Sequence, residues 1–265
     1  MEKYVKIEGV PDFECIRLAP KTSDYAVCIP VINEGERIRK ELYRAKKYQV
    51  DQYADLILCD GGSEDGSMSP AALKKMGVRV LLTKTGPGKQ GAQLRMGFYF
   101  ALLEEYDGII TIDGNNKDSI EDTVHFIEKL EEGYDFVQGS RFILGGRAVR
   151  TPWMRYLSVK LIHAPVISLT AGERFTDSTN NFRAYSARYL RDERTAPFRD
   201  CFMGYELLAY LSVRASQLGY KTCEIPVTRR YPPRGQKTPT KISMIRGNLE
   251  LMKILLKNAA GKYNP

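Results

Sequence analysis

Short apolar runs alternate with longer polar stretches through the first half of the chain. Tyr25–Val31, Asp55–Asp60, Val78–Leu82 and Gly108–Asp113 are apolar at most positions and rich in β-branched residues, the pattern of strands buried on both faces. Between them, residues 34–49, 65–76, 88–105 and 119–132 space their apolar positions at helical intervals. Strand–helix–strand repetition predicts an α/β fold, with a mostly parallel central sheet and helices on both faces. Ligands of such sheets bind beyond the carboxyl ends of the strands. The residues that follow each strand are therefore where chemistry is expected.

The second half is less regular. Residues 136–142 read as another strand with its exit loop, 152–171 as a helix interrupted by Ser158, Lys160, His163 and Pro165, and 203–217 as a helix. Thr222–Thr228 is strand-like and a Pro/Arg-rich loop occupies 229–240. The last segment places Ile242, Ile245, Leu249, Met252 and Leu256 on one helical stripe beside Arg246, Lys253 and Lys257. Such a stripe either docks on a core or rests on anionic lipid. No repeat or low-complexity linker divides the chain, so residues 1–241 are expected to form one domain and 242–265 a basic amphipathic extension.

Charge sharpens this picture. The chain carries a net +8, and from Pro226 onward there are nine Lys/Arg against the single acid Glu250. That segment alone holds the whole excess, which points to an anionic partner such as phosphate or a membrane surface. Composition excludes little more: 43% apolar and 27% charged residues describe an ordinary globular protein. Five scattered cysteines without a C-x-x-C pair read as free thiols in a reducing compartment. No signal segment opens the sequence, and no apolar run approaches the about 20 residues of a spanning helix. A cytoplasmic protein, at most peripheral at the inner face of a membrane, is expected.

Two strand exits hold candidate chemistry. Asp60-Gly61-Gly62-Ser63 offers a carboxylate that can accept a base N–H, with glycines that let a nucleotide approach; it is also ordinary turn and cap chemistry. Asp113-Gly114-Asn115 sets two oxygen donors around a small residue, as needed to hold a hard divalent cation on a diphosphate, or simply to make a tight turn. Gly86–Gly91 lacks the G-x-x-x-x-G-K-[ST] spacing of a nucleoside-triphosphate loop, and the first strand exit lacks G-x-G-x-x-G. No nucleophile elbow supports a hydrolase triad, and no nucleic-acid-binding module is present.

Taken in order, Pro30-Val31-Ile32-Asn33-Glu34, Asp60-Gly61-Gly62-Ser63, Gly88-Lys89 with Arg95, Asp113-Gly114-Asn115 and Gly139-Ser140-Arg141-Phe142 resemble the family 2 glycosyltransferases of GT-A fold. Within that family the chain is most similar to the polyprenyl-phosphate and dolichyl-phosphate sugar synthases. Phe182–Tyr185 after Asp177, Glu224–Val227, Arg234 and Thr240-Lys241-Ile242 extend the likeness over about residues 25–245. The resemblance implies inverting transfer from a UDP- or GDP-linked sugar to a polyprenyl phosphate or a glycan. By position it assigns Pro30, Val31, Asn33, Glu34, Asp60, Gly62, Lys89, Arg95, Gly114 and Asn115 to the donor. It assigns Asp113 with Asn115 to Mg²⁺ or Mn²⁺. Arg141, Arg183, Arg234, Lys237 and Lys241 would meet acceptor and leaving-group phosphates, each charge-assisted bond contributing roughly 1.5–3 kcal/mol.

The chain departs from the family pattern where the cation is expected. Asn115 replaces an acidic ligand and Lys117 follows two residues later, so a weakly held cation assisted by a resident ammonium is implied. A phosphate acceptor, largely ionised near pH 7 with a second pKa of about 6, needs no base. A hydroxyl acceptor does, and Glu206 sits where relatives with hydroxyl acceptors carry one. A sugar-phosphate nucleotidyltransferase is the alternative from another enzyme class, although its glycine-rich, Arg-bearing first loop is missing.

Overall fold

The computed structural model describes residues 1–5, 7–233 and 246–265. Its strands are β1 (Glu2–Tyr4), β2 (Phe13–Arg17), β3 (Tyr25–Val31), β4 (Asp55–Asp60), β5 (Val78–Lys84), β6 (Gly108–Thr111), β7 (Phe136–Ser140), β8 (Arg147–Val149), β9 (Arg183–Ser186), β10 (Thr222–Pro226) and β11 (Thr228–Arg230). Nine of them form one sheet in the order β1-β2-β5-β4-β3-β6-β9-β7-β10, while β11 and β8 pair as a small parallel sheet. Strands β3 to β7 and β10 point the same way; β2 and β9 run against them. The helices are α1 (Glu36–Lys47), α2 (Pro70–Lys75), α3 (Gln90–Leu103), α4 (Thr123–Glu131), α5 (Trp153–Ser158), α6 (Ala164–Ala171), α7 (Ala187–Arg191), α8 (Glu206–Gln217) and α9 (Arg246–Ala259).

Side-chain alternation along the central strands makes two cores. Ala26, Cys28, Ile57 and Cys59 join Leu94, Phe98 and Phe100 of α3 and Leu207 and Leu211 of α8 on one face. Val27, Ile29, Leu56 and Leu58 join Ile38 and Leu42 of α1 and Phe126 of α4 on the other. All of these are fully buried, and each large apolar side chain contributes about 1.5–3 kcal/mol. The doubly covered sheet expected from the unbroken apolar runs is present.

Several expectations shift in detail. The strand at 78–82 runs on to Lys84, whereas that at 108–113 stops at Thr111 and leaves Asp113 in the exit loop. Helix 65–76 contracts to Pro70–Lys75 because Asp65 bonds the Ser67 N–H and hydroxyl in a turn. Helix 152–171 is continuous from α5 to α6 through a π-turn at Val159–His163, which accommodates Pro165 just beyond it. The strand-like 222–228 divides at Val227 into β10 and β11. The antiparallel edge β1–β2, the insertion of β9 between β6 and β7, and the small sheet were not anticipated.

In the C-terminal segment, α9 lies against α6 and α8. It buries Ile254 and Leu255, and the Asn258 amide donates to the Ala209 carbonyl at 3.0 Å. Of the stripe read from the sequence, Leu249 and Leu256 instead face outward, 59% and 62% exposed. Ile242 and Ile245 lie outside the described residues.

Helix α3 approaches the sheet through Gly97, where an added Cβ would meet the Cys59 sulfur at 2.6 Å and the Cys28 sulfur at 3.1 Å. Gly97→Ala should lower stability by about 1–2 kcal/mol, although alanine alone favours a helix by about 1 kcal/mol over glycine. A urea unfolding midpoint below wild type is expected. A higher midpoint would show that the sheet recedes to admit the methyl.

Candidate active site

The carboxyl edge of the sheet is built on register. Val31 pairs with Asp60 across β3 and β4, and β6 lies on the other side of β3 with Thr111 opposite Cys28. Asp60 and the residues after β6 therefore share one edge, two strand spacings or about 10 Å apart. Gly114 lies close over the end of β3: an added Cβ would stand 2.8 Å from Val31 Cγ1.

The exits of β3 and β4 are laced together. The Asn33 N–H donates to Ser63 Oγ (2.9 Å), the Glu64 N–H to Asn33 Oδ1 (2.9 Å) and the Gly35 N–H to Asp65 Oδ2 (2.8 Å). Asn33 takes a positive φ of 49°, a conformation asparagine tolerates better than most residues. The Asp60 carboxylate accepts the Gly62 and Ser63 N–H groups and the Ser63 hydroxyl, so it shapes its own loop. Glu34 accepts a bond from Arg37 Nε at 2.6 Å. Pro30 and Val31 are the last two residues of β3, and the Val31 carbonyl receives the Gln93 side chain.

The first turn of α3 bridges this edge. Gln93 Nε2 donates to the carbonyls of Val31 (2.6 Å) and Cys59 (2.7 Å), and three residues earlier Gln90 Nε2 donates to Asp113 Oδ1 (3.0 Å). Asn181 Nδ2 reaches the same Asp113 oxygen at 3.1 Å. Arg229 Nη2 takes Asp113 Oδ2 at 2.9 Å, while Arg229 Nη1 bonds the fully buried Asp118. Asp113 keeps 20% of its side chain accessible. Of the two acids bonded to Arg229 it is the one that solvent reaches.

Electrostatics follow from these contacts. Burial pushes the Asp113 carboxyl up, but Arg229 and Lys117 outweigh it and hold it down at about 2. Burial dominates at Asp118 and raises it to about 6 despite Arg229. Lys117 is brought down to about 8 by burial and by Arg229, against the pull of Asp113.

Beyond this cluster lies a cavity of about 410 Å³ between α5, α6, α8 and α9. Arg141, Arg155, Arg229 and Tyr231 line it together with Val159, Ile167, Leu208, Leu251, Ile254 and Leu255. Arg141 is locked in a bidentate pair with buried Asp177, Nε to Oδ2 at 2.6 Å and Nη2 to Oδ1 at 2.8 Å. Arg155 Nη1 donates to the Tyr231 hydroxyl at 2.9 Å.

Not every residue singled out in the sequence reaches this place. Arg95 is 1% exposed and bonds the Gly9 carbonyl and Asp200, so it pins the N-terminal segment instead of a donor. Arg183 borders the cavity, but its guanidinium is taken up by the carbonyls of Asn180, Leu208 and Ser178 and by the Ser212 hydroxyl. Lys89 is exposed just before α3. Glu206 opens α8 and accepts the Gly204 N–H at 2.6 Å. Arg234, Lys237 and Lys241 lie outside the described residues. Gln90, Asn181, Arg155 and Tyr231 were missed, and Arg229 had counted only toward the basic excess. No local spacing marks any of them, because each reaches the site from a distant element.

Known proteins resemble the chain in sequence and in fold. No protein-family model matches the chain. It is 28% identical over 203 residues to the undecaprenyl-phosphate mannosyltransferase of Micrococcus luteus, covering 76% of this chain and 81% of the relative. It is 25% identical over 241 residues to the dolichyl-phosphate hexose transferase of Haloferax volcanii, covering 88% and 93%. Its fold matches glucosyl-3-phosphoglycerate synthase from Mycobacterium tuberculosis, crystallised with Mn²⁺, UDP and phosphoglyceric acid, at a TM-score of 0.59 and 17% identity over 89% of this chain and 78% of that one. The homologues include polyprenyl-phosphate sugar transferases, and the fold is that of GT-A glycosyltransferases.

Tyr231 offers a direct probe of the site's potential. Burial alone would raise its phenol, but Arg229, Arg155 and Lys117 bring it down to about 8. Its phenolate is favoured in the folded chain, so this contribution to stability appears as pH rises through 8 and is lost as pH falls below it. Absorbance at 295 nm should show one tyrosine ionising near pH 8 that Tyr231→Phe lacks. Coincident titration curves below pH 9 would contradict the assigned field.

Proposed function

We propose that this glycosyltransferase moves a sugar, with inversion, from a nucleoside-diphosphate sugar to the phosphate of a polyprenyl phosphate. The observation that supports it most is the lining of the cavity: apolar side chains from α6, α8 and α9 share it with Arg141, Arg155 and Arg229, and Arg229 also touches Asp113. An isoprenoid chain suits the apolar part and an anionic head group the other. The nucleoside would lie along the exits of β3 and β4, at Pro30, Val31, Asn33, Glu34, Asp60 and Gly62. The diphosphate would lie at the first turn of α3, close to Lys89, Gly114 and Lys117.

The reaction then needs little from the protein beyond position and charge. One acceptor phosphate oxygen attacks the anomeric carbon from the face opposite the leaving group. The bond between that carbon and the donor's distal phosphate breaks, and its electron pair leaves with the nucleoside diphosphate. No proton moves, because the acceptor is already ionised. The cationic side chains align the two phosphates and offset the charge that develops on the departing one.

Asp113 is suited to a divalent cation, and the buried Asn115 Oδ1 has no hydrogen-bond partner, so the pair fits Mg²⁺ or Mn²⁺. Among the described residues no cluster of three or more His, Cys, Asp or Glu side chains adds to it. The ion, when bound, would supply further neutralisation of the leaving diphosphate.

No helix among the described residues is long and apolar enough to cross a membrane. Instead Trp153, Leu157, Leu161 and Leu169 stand exposed along α5 and α6 with Lys160 among them. That surface and the basic C-terminal segment support a peripheral position at the cytoplasmic membrane face.

Transfer from UDP- and GDP-sugars to a short prenyl phosphate tests the reading. Arg155→Ala should reduce kcat/KM about 10–100-fold through loss of a charge-assisted contact. Glu206→Gln should stay within about threefold of wild type, since a phosphate acceptor needs no general base. A loss of several hundredfold in Glu206→Gln, with a sugar or prenyl alcohol used in place of prenyl phosphate, would reassign the enzyme to hydroxyl acceptors.

A further inference from the structure

Arg229 lies where a divalent cation would be expected to act. Its Nη2 is 2.9 Å from Asp113 Oδ2, so the carboxylate expected to hold a cation already carries a positive partner. Arg229 is 5% exposed and its guanidinium is held from behind, with Nη1 bonded to buried Asp118 and 3.3 Å from Asn180 Oδ1. Backbone pairing fixes it further: the Ser119 N–H donates to the Thr228 carbonyl at 3.0 Å and the Arg230 N–H to the Lys117 carbonyl at 2.7 Å. The other Asp113 oxygen is occupied by the amides of Gln90 and Asn181. Among the described groups, the outward-facing acid is thus saturated before any ligand arrives.

We infer that Arg229 is a resident counter-charge that keeps a divalent cation off Asp113 until the nucleoside diphosphate arrives, so that cation and diphosphate bind together. A dication beside Asp113 would meet the guanidinium at short range in a poorly hydrated site, where like charges repel strongly. A diphosphate relieves this in two ways. Its oxygens complete the cation's coordination, and they give Arg229 Nη2 an anionic partner other than Asp113. By linkage, the factor by which the nucleotide tightens the cation equals the factor by which the cation tightens the nucleotide. Removing Arg229 should shrink both. This inference rests on the donor-site reading above and is independent of the acceptor.

The test is Mn²⁺ titrated into the whole chain, with free aqueous Mn²⁺ followed by electron paramagnetic resonance, in the absence and presence of UDP or GDP. The variant is Arg229→Gln combined with Asp118→Asn, which removes the guanidinium without leaving Asp118 buried as an unpaired acid. Nucleotide-free wild type should bind Mn²⁺ at least tenfold more weakly than the double variant, and added nucleotide should tighten Mn²⁺ more in wild type. Equal nucleotide-free affinities, within twofold, would overturn the inference, as would nucleotide-dependent Mn²⁺ binding undiminished by Asp113→Asn. If the double variant does not fold, Arg229→Lys replaces it. An ammonium retained by Asp118 would release Asp113 Oδ2 and tighten Mn²⁺ at least threefold; unchanged affinity overturns the inference. Transfer to prenyl phosphate is scored separately on wild type. Its absence together with the expected Mn²⁺ pattern would defeat the acceptor assignment alone, and normal transfer with flat Mn²⁺ affinities would defeat this inference alone.

Discussion

Three charges meet where β11 reaches the exit of β6, Asp118 and Arg229 buried and Asp113 partly so. Arg229 stands between Asp113 and Asp118, and none of the three is affordable in a protein interior without the others. The same contact joins two parts of the fold. Arg229 belongs to the small β8–β11 sheet, Asp113 to the loop beyond the main sheet, and Asp118 bridges directly to Arg229. Breaking it would uncover an unpaired charge and release the two surfaces that line the cleft. The position of Tyr231, two residues on from Arg229 and beside Arg155, follows from this pairing.

The remaining geometry hangs on that junction. A single helical turn, Gln90 to Gln93, ties Asp113 to the carbonyls at the ends of β3 and β4. The sheet edge is thereby tied to the cavity, whose cationic groups include the same Arg229. Two anionic substrates would meet across one guanidinium. An arrangement of that kind suits a reaction in which negative charge moves from one phosphate to another and no proton is transferred.

Much of this architecture is legible in the residues. Continuous apolar runs such as Val27–Ile29 and Leu56–Cys59 admit hardly any other reading than doubly covered strands, and polar residues that begin where such runs stop must gather on one edge. What stays hidden depends on distant packing. β9 is only four residues long, and nothing in Arg183–Ser186 tells that it will run antiparallel between β6 and β7. In α9, apolar residues at 249, 251, 252, 254, 255 and 256 surround most of the helix, so contact with α6 and α8 selects Ile254 and Leu255 over Leu249 and Leu256. Arg95 and Arg229 show the same limit for the site. Both are arginines in plausible places, yet one is spent on Gly9 and Asp200 and the other on Asp113.

The most direct measurement is a crystal structure with a nucleoside diphosphate bound, using UDP and GDP in turn. The diphosphate should lie at the first turn of α3, with an oxygen in hydrogen-bond reach of Lys117 or Arg229 and the base between the exits of β3 and β4. A nucleotide bound away from this edge, with Asp113 still wrapped by Gln90, Asn181 and Arg229, would contradict the assignment of the cleft.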